Sequence, residues 1–439
     1  MKWIISILIL PAILFANEMN YVVVDINNIG YEKLQELKEN QAFEWWVELE
    51  DQLLTLMKKE NINSITENYK CSTLPIAVEQ QNLHFVKRAH QKDLLMPGVE
   101  ILGNAGRTAV IQAQKSCVLN IGQCHDSHYD TTTNSDAVHA SLAPFAPNTV
   151  VAKQAGNEMP SLAFSTRADY SKLANSIDGA RWKAAVDHLS SYNRYTHGDG
   201  VIEARDWLVK QYQDLGLEVS TPSFNVSFTT AYNVVAVMKG TERPDEFFIV
   251  GGHYDSISQS PNTAAPGSED NASGASGVLE MARAFAKNPP KSTIIFINFS
   301  GEEQGLVGSY KHVDELFAKG DQGKLKAALI MDMIGYTSDD DLDLLLETAD
   351  VGKHLFPVFT AAAQQYTSLR IVTSLRPFGS DHVPYIKRGL PGLLTIENDW
   401  DDYKPYHTTN DRPSKVSIDM GREVLRMNVV TLAMLMDQD

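Results

Sequence analysis

The sequence predicts an α/β protein, a mainly parallel mixed sheet sandwiched by helices and preceded by an N-terminal α+β region. Three observations lead there. From Val201 onward, short apolar runs alternate with stretches of helical periodicity. The runs are continuously apolar rather than alternating, as expected of strands buried on both faces of a parallel sheet. All but the first of these runs also lead to a His, Asp or Glu, and in open α/β sheets function gathers just past the carboxyl ends of the strands.

In order, Val201–Leu215 sets Val201, Ala204, Leu208, Tyr212 and Leu215 on one helical face, with Gly216 where a C-terminal cap is expected. Strands are expected at Asn233–Met238, Phe247–Val250, Thr293–Phe299, Ala327–Met331 and Gly392–Ile396, with helices at Gly274–Ala286 and Leu355–Tyr366. Upstream, Tyr31–Met57 carries apolar residues at helical spacing and reads as one or two amphipathic helices. From His125 to about Phe164 the chain is rich in Thr, Asn, Ser, Ala and Pro, the composition of a linker. The expected division is residues 1–16, 17–125, 126–165 as linker, and 166–439 as the domain that carries the chemistry.

A chain of 439 residues suggests two or three domains. Its formal net charge of -17 argues against nucleic-acid binding, which needs clustered Lys and Arg to neutralise phosphates. Lys2, the apolar run Trp3–Phe15 and the small Ala16 form the pattern of a secretory signal peptide. The run falls short of the roughly 20 apolar residues that a membrane span needs, so removal after Ala16 is favoured over an uncleaved anchor. The expected location is extracytoplasmic, secreted or periplasmic, with no membrane span after signal removal. Cys71, Cys117 and Cys124 are the only cysteines, so at most one intramolecular disulfide is possible, Cys117–Cys124 closing the shortest loop. A cysteine nucleophile is excluded from the C-terminal region.

The strand ends supply a coherent set. FFIVGG ends in His253-Tyr254-Asp255, and a Gly- and Pro-containing loop then delivers Asp270-Asn271 to the start of a helix. TIIFINF ends in Ser300-Gly301-Glu302-Glu303, AALIM ends in Asp332, and Tyr406-His407 follows much later. Catalytic zinc takes His nitrogen and carboxylate oxygen, usually three protein ligands with a position left open. Two zincs about 3.5–4 Å apart can share a carboxylate. His253, Asp332 and a shared Asp270 would make one site, and Glu303, His407 and the same Asp270 the other. Neighbouring residues at a strand end point in different directions, which leaves Glu302 free as a general base. Asp255 is placed to accept the second ring N–H of His253 and fix its tautomer, and Tyr406 could donate its hydroxyl to an oxyanion.

GGHYDS, APGSEDNASG, FSGEEQGLVGS, Asp332-Met333 and YHTTND together resemble the successive metal-site motifs of the M28 family of zinc aminopeptidases, bacterial secreted leucyl aminopeptidases among them. The similarity runs from roughly Ala185 to the C-terminus, and Gly379-Ser380-Asp381-His382 resembles that family's loop before the last ligand. The resemblance implies a phosphorylase/hydrolase-like α/β sandwich, two Zn2+ per chain, and release of N-terminal residues from peptides with a free N-terminus by a monomer. It implies His253, Asp270, Glu303, Asp332 and His407 as ligands and Glu302 as base. Tyr406 matches only some members, and the family's disulfide near the substrate pocket is absent.

Two alternatives stay open: a single-zinc glutaminyl cyclase-like enzyme of the same fold, and a non-catalytic binding module, which eroded ligands would mark. Cys124–Asp130 has metal-like residues but lies in the expected linker. Asp381 and His382 are read as supporting the pocket. Asp399, Asp401 and Asp402 are read as an exposed loop, with preference for a basic first residue as the alternative. The region 17–125 is read as a propeptide-like domain, or else a permanent accessory domain.

Overall fold

The computed structural model describes residues 19–27, 29–88, 98–113, 140–155 and 168–438. The N-terminal part comprises β1 (Met19–Asp25), α1 (Tyr31–Lys38), β2 (Phe43–Glu50), β3 (Gln52–Lys58), α2 (Ile62–Thr66), β4 (Cys71–Thr73), β5 (Leu83–Arg88), β6 (Val99–Ala105), β7 (Thr108–Ala113), β8 (Ala140–Pro144) and β9 (Thr149–Gln154). Next come α3 (Ser171–Ala174), α4 (Gly179–Leu189), α5 (Gly200–Asp214), β10 (Glu218–Ser220), β11 (Ser223–Val226), β12 (Thr229–Tyr232), β13 (Val234–Met238) and β14 (Arg243–His253). The chain continues with α6 (Gly274–Lys287), β15 (Ser292–Phe299), α7 (Val307–Lys319), β16 (Leu325–Met331), β17 (Asp343–Glu347), α8 (Phe356–Tyr366), β18 (Arg370–Ser374), α9 (Val383–Lys387), β19 (Gly392–Glu397) and α10 (Ile418–Met436).

A 13-stranded sheet runs in the order β10-β13-β15-β14-β16-β19-β17-β18-β9-β2-β3-β1-β4. Its centre, β15-β14-β16-β19, is parallel, whereas β13 flanks it antiparallel on one side and β17 on the other. Continuous apolar runs specify this centre because both faces are covered. On one face α4, α5, α6, α8 and α10 close a core containing Trp182, Leu208, Leu279, Phe296, Phe359 and Val424. Each fully buried phenylalanine there, Phe296 or Phe359, contributes about 1.5–3 kcal/mol. On the other face Ile249, Ile297, Ile330 and Leu345 pack with Val313, Leu316 and Tyr385 from α7 and α9, and with Phe85 and Val110 from the small sheet β6-β7-β5-β8.

The predicted strands and helices of the C-terminal part form, and Gly216 adopts φ +76° just past α5, the left-handed turn that ends the helix. Two expectations are corrected. Tyr31–Met57 holds a single short helix, α1, followed by the antiparallel pair β2–β3. Trp45, Val47 and Leu49 alternate onto one buried face, and this period of two, in aromatic and branched residues, outweighs the coincident helical spacing. The expected linker at 126–165 contains regular structure: β8 joins the small sheet, and β9 pairs with both β18 and β2. The apolar core of TVVAKQ is too short to outweigh its Thr-, Asn- and Pro-rich surroundings in a reading by composition. The N-terminal and C-terminal parts therefore share one sheet. The expected signal segment, Cys117, Cys124 and the His125–Asp130 stretch lie outside the described residues; Cys71 is a free thiol.

Candidate metal centre

In-register parallel pairing brings the chemistry to one edge. His253 on β14 faces Phe299 on β15, and Gly251 faces Ile330 on β16, so His253, the Ser300–Glu303 turn and Asp332 emerge together. Asp270 arrives on the irregular turn Ser268–Ser273 that opens α6, where Asp270 and Asn271 leave helical geometry. Asn271 fixes that turn: its amide donates to the Met331 carbonyl (2.9 Å), and its Oδ1 accepts from the N–H of Gly274 (2.8 Å) and Met333 (3.2 Å). Gly274 is required, since a Cβ there would stand 2.4 Å from both Asn271 Oδ1 and the Met331 carbonyl. His407 comes from the loop before α10 with φ +53°.

The five expected ligands converge. His253 Nε2 lies 3.2 Å from Asp270 Oδ1 and 3.4 Å from Asp332 Oδ1. His407 Nε2 lies 3.1 Å from Asp270 Oδ2 and 3.2 Å from Glu303 Oε2. Asp270 thus offers one oxygen to each imidazole. Glu302 Oε2 stands 4.0 Å from His253 Nε2, grouped with His253 and Asp332. The Tyr406 ring lies on the His407 ring at 3.8 Å between centroids and 19° between planes, and Tyr406 lines the cleft with Asp270, Glu302 and Asp332.

These residues fit a divalent cation. His253 Nε2, Asp332 Oδ1 and Glu303 Oε1 are buried without a hydrogen-bond partner, an arrangement a ligand of opposite charge would satisfy. The electrostatics agree. Burial, with His253 opposing and Glu303, Asp332 and Asp381 reinforcing, holds Glu302 well above the usual carboxylate range. Burial and the charge of Asp270 push Glu303 up to about 7. His407 is raised to about 10, against burial, by Glu303 and Asp270, and His253 is raised against burial chiefly by Glu302 and Asp332. Asp270 is lowered, against burial, by both imidazoles. The cluster carries more carboxylate than its imidazoles can neutralise.

Asp255 acts differently from expectation. The atom nearest the His253 Nδ1 is the Asp255 backbone carbonyl (3.1 Å), with the carboxylate at 3.6 Å. The carboxylate instead accepts from the backbone N–H of Glu302 (3.3 Å) and Glu303 (3.4 Å) and from the Thr196 hydroxyl (2.8 Å). The reason is the spacing, which lets the chain turn its own carbonyl back toward the imidazole. Other contributors escaped the sequence reading. Asp411 accepts from the N–H of Glu269 (2.8 Å) and Asp270 (3.0 Å) and from the Tyr403 hydroxyl (2.6 Å); its place in YHTTND was the available signal. Buried Arg194 donates to the carbonyls of Tyr254, Pro266 and Gly267, clamping the loop between His253 and Asp270. The Ser380 hydroxyl donates to Asp332 Oδ2 (2.7 Å), and Asp381 and His382 are fully buried behind it. Asp399 accepts from the Ser338 N–H (2.7 Å), and Trp400, between the acidic residues, turns into the cleft.

Fold and site define an α/β domain with a double His–carboxylate centre at the carboxyl edge of its parallel strands. Residues 233–431 match the family model described as peptidase family M28. The chain is 30% identical over 262 residues to a probable zinc metalloprotease of Pyrenophora tritici-repentis, covering 47% of this chain and 59% of that protein. It is 28% identical over 270 residues to leucine aminopeptidase 1 of Metarhizium robertsii, covering 56% and 67%. The chain spans about half the length of the first curated relatives it matches. Among solved structures, LapB of Legionella pneumophila aligns with 95% of this chain and 99% of its own at 20% identity and TM-score 0.56. A glutaminyl cyclase from an Acidobacteriales bacterium aligns with 64% and 100% at 18% identity and TM-score 0.50. At these identities the structural likenesses establish the fold.

Proposed function

We propose that this protein is an exported zinc-dependent aminopeptidase that hydrolyses the first peptide bond of peptides through a two-metal centre. The observation that carries the reading is Asp270, one buried carboxylate whose two oxygens lie 3.2 and 3.1 Å from two different imidazole nitrogens. His253, Asp270 and Asp332 would hold one zinc, and Glu303, His407 and Asp270 the other. Bound zinc supplies Lewis acidity toward a carbonyl and lowers the pKa of water. The Glu302 carboxylate, made more basic by burial, takes a proton from the attacking water and delivers it to the leaving amine. Tyr406, beside His407, donates its hydroxyl to the oxygen on which charge develops. The free α-amino group of the substrate is held among the centre's carboxylates. Export is supported by the pattern at residues 1–16, and no helix among the described residues is long and apolar enough to cross a membrane. The N-terminal region is read as a propeptide-like domain.

The test is metal content with hydrolysis of aminoacyl-anilides and cyclisation of glutaminyl peptides. About two zincs per chain with chelator-sensitive anilide cleavage is expected, and Glu302→Gln should keep the metal and lose about 100-fold or more in kcat. One zinc with pyroglutamate formation would assign the cyclase chemistry instead.

A further inference from the structure

The β6–β7 hairpin of the N-terminal region turns at Gly106 and Arg107, and Arg107 lines the catalytic cleft beside Asp270, Glu302, Asp332 and His407. Gly106 has φ +47°, and a Cβ added to it would already touch Leu345 of β17 at 3.4 Å, which seats the hairpin tip against the catalytic sheet. Arg107 is only 6% exposed. Its Nη2 donates to Glu347 Oε1 (2.9 Å) and to the Phe378 carbonyl, and its Nη1 donates to the Gly379 carbonyl (3.3 Å). Glu347 closes β17, is fully buried, accepts the Phe378 N–H at 2.8 Å and stands 3.4 Å from His382 Nε2. With Arg107 in place the cleft retains about 30 Å³. That is about one water's share of liquid volume, against roughly 300–1,000 Å³ for pockets that take small-molecule ligands.

We propose that Glu347 and the carbonyls of Phe378 and Gly379 form a subsite for a basic side chain of the substrate, and that Arg107 fills this subsite in cis and holds the cleft shut. The inference deepens the aminopeptidase reading and rests on it for the nature of the substrate. The cradle presents a carboxylate and two carbonyls to the Arg107 guanidinium, which itself lines the cleft, and so is the complement of a guanidinium or ammonium group. An apolar side chain in the same place would leave the Glu347 carboxylate buried with only the Phe378 N–H and His382 against it, and a buried charge that loses its ion-pair partner is strongly disfavoured. Arg107 is tethered, so its effective concentration at the cradle is on the order of millimolar or higher, and a free peptide competes poorly until the hairpin withdraws.

The test uses the zinc-loaded full chain as wild type, Arg107→Ala, Arg107→Gln, and each of these combined with Glu347→Gln. Calorimetry measures binding of free L-arginine and L-leucine, and Arg- and Leu-anilide hydrolysis is followed in parallel. Wild type should bind neither amino acid measurably. Both Arg107 variants should gain arginine binding at least about tenfold tighter than leucine binding, and Glu347→Gln should bring the two within about twofold. An Arg107→Gln protein that melts like wild type yet binds arginine no better, or binds leucine equally well with Glu347 intact, overturns the proposal. Arginine binding gained without any anilide hydrolysis keeps the subsite and removes the aminopeptidase reading. Full-rate hydrolysis by intact wild type removes the plug and leaves the aminopeptidase reading standing.

Discussion

Asp255→Asn separates what the Asp255 carboxylate does from what its backbone does. The backbone carbonyl that faces His253 Nδ1 is untouched by the substitution. The carboxylate oxygens are divided: Oδ1 accepts the Glu302 N–H at 3.3 Å, and Oδ2 accepts the Glu303 N–H at 3.4 Å and the Thr196 hydroxyl at 2.8 Å. An asparagine has one acceptor oxygen, so either rotamer points an NH2 at one of the two backbone N–H groups. The cheaper choice keeps the oxygen on Glu303 and Thr196, whose bond is the shortest, and sets donor against donor at Glu302. Leaving that buried N–H without an acceptor costs about 1–3 kcal/mol. At about 1.36 kcal/mol per factor of ten, the loss in kcat/KM on an aminoacyl-anilide should be about 5- to 150-fold. Because the Glu302 end is disturbed more than the ligand side of the turn, zinc affinity by chelator competition should fall less than turnover. A variant with both kcat/KM and zinc affinity within about twofold of wild type would refute the claim that this carboxylate positions the Glu302–Glu303 turn.

Three further outcomes are expected. His407→Ala removes the imidazole shared by Asp270 and Glu303, and on the proposed two-metal reading zinc per chain by atomic emission should fall from about two to about one. Gly421→Ala places a Cβ 2.0 Å from the Trp182 ring, which cannot swing aside because its Nε1–H donates to the Ser273 carbonyl. Denaturant unfolding should show a loss of about 1–3 kcal/mol, and unchanged stability would mean that α4 and α10 can part. His312, buried and bonded to the Tyr385 hydroxyl, is lowered to about 3, first by burial and then by Lys319. A depressed histidine pKa means that the unfolded chain binds the proton first, so stability is full above about 6.5 and falls as pH drops from there toward about 3, at up to about 1.4 kcal/mol per pH unit. His312→Gln should remove close to one proton from the slope of unfolding free energy between pH 6.5 and 5, and an unaltered slope would show that His312 titrates normally.

Much of the catalytic half was legible because one physical rule acts on both fold and site. Strands buried on two faces must be continuously apolar, so the residue that ends each run stands out, and parallel register then brings those ends together. His253, Glu302, Glu303 and Asp332 were visible for that reason. Strand β17 was not, because Leu344–Leu346 is a short apolar run behind the acidic stretch Asp339–Asp343, and β18 is bounded by Arg370 and polar residues. The Asp255 side chain was assigned to the imidazole because an HxD spacing does not say whether carbonyl or carboxylate turns inward. Asp411 serves backbone N–H groups, which every residue possesses, so that only its place in YHTTND marked it, and Thr196 donates to the Asp255 carboxylate from a segment that carries no motif.

Arg107 shows where such reading stops. In the sequence it is one arginine in the turn of an ordinary hairpin, far from every motif with chemistry. Its meaning comes from three facts that only assembly produces. The sheet continues from β18 through β9 into the N-terminal strands, Gly106 seats the hairpin tip on Leu345, and Glu347 ends β17 against the Arg107 guanidinium. Motifs locate the groups that touch a reacting bond because strand chemistry constrains them locally. A residue that governs access answers to the surface it covers, and that surface is built from β17 and the Phe378–Gly379 turn, segments whose own role was invisible until they met. An arginine answered by a buried glutamate and two carbonyls is therefore better evidence for what the cleft accepts than the acidic residues Asp399, Asp401 and Asp402, which the sequence made conspicuous.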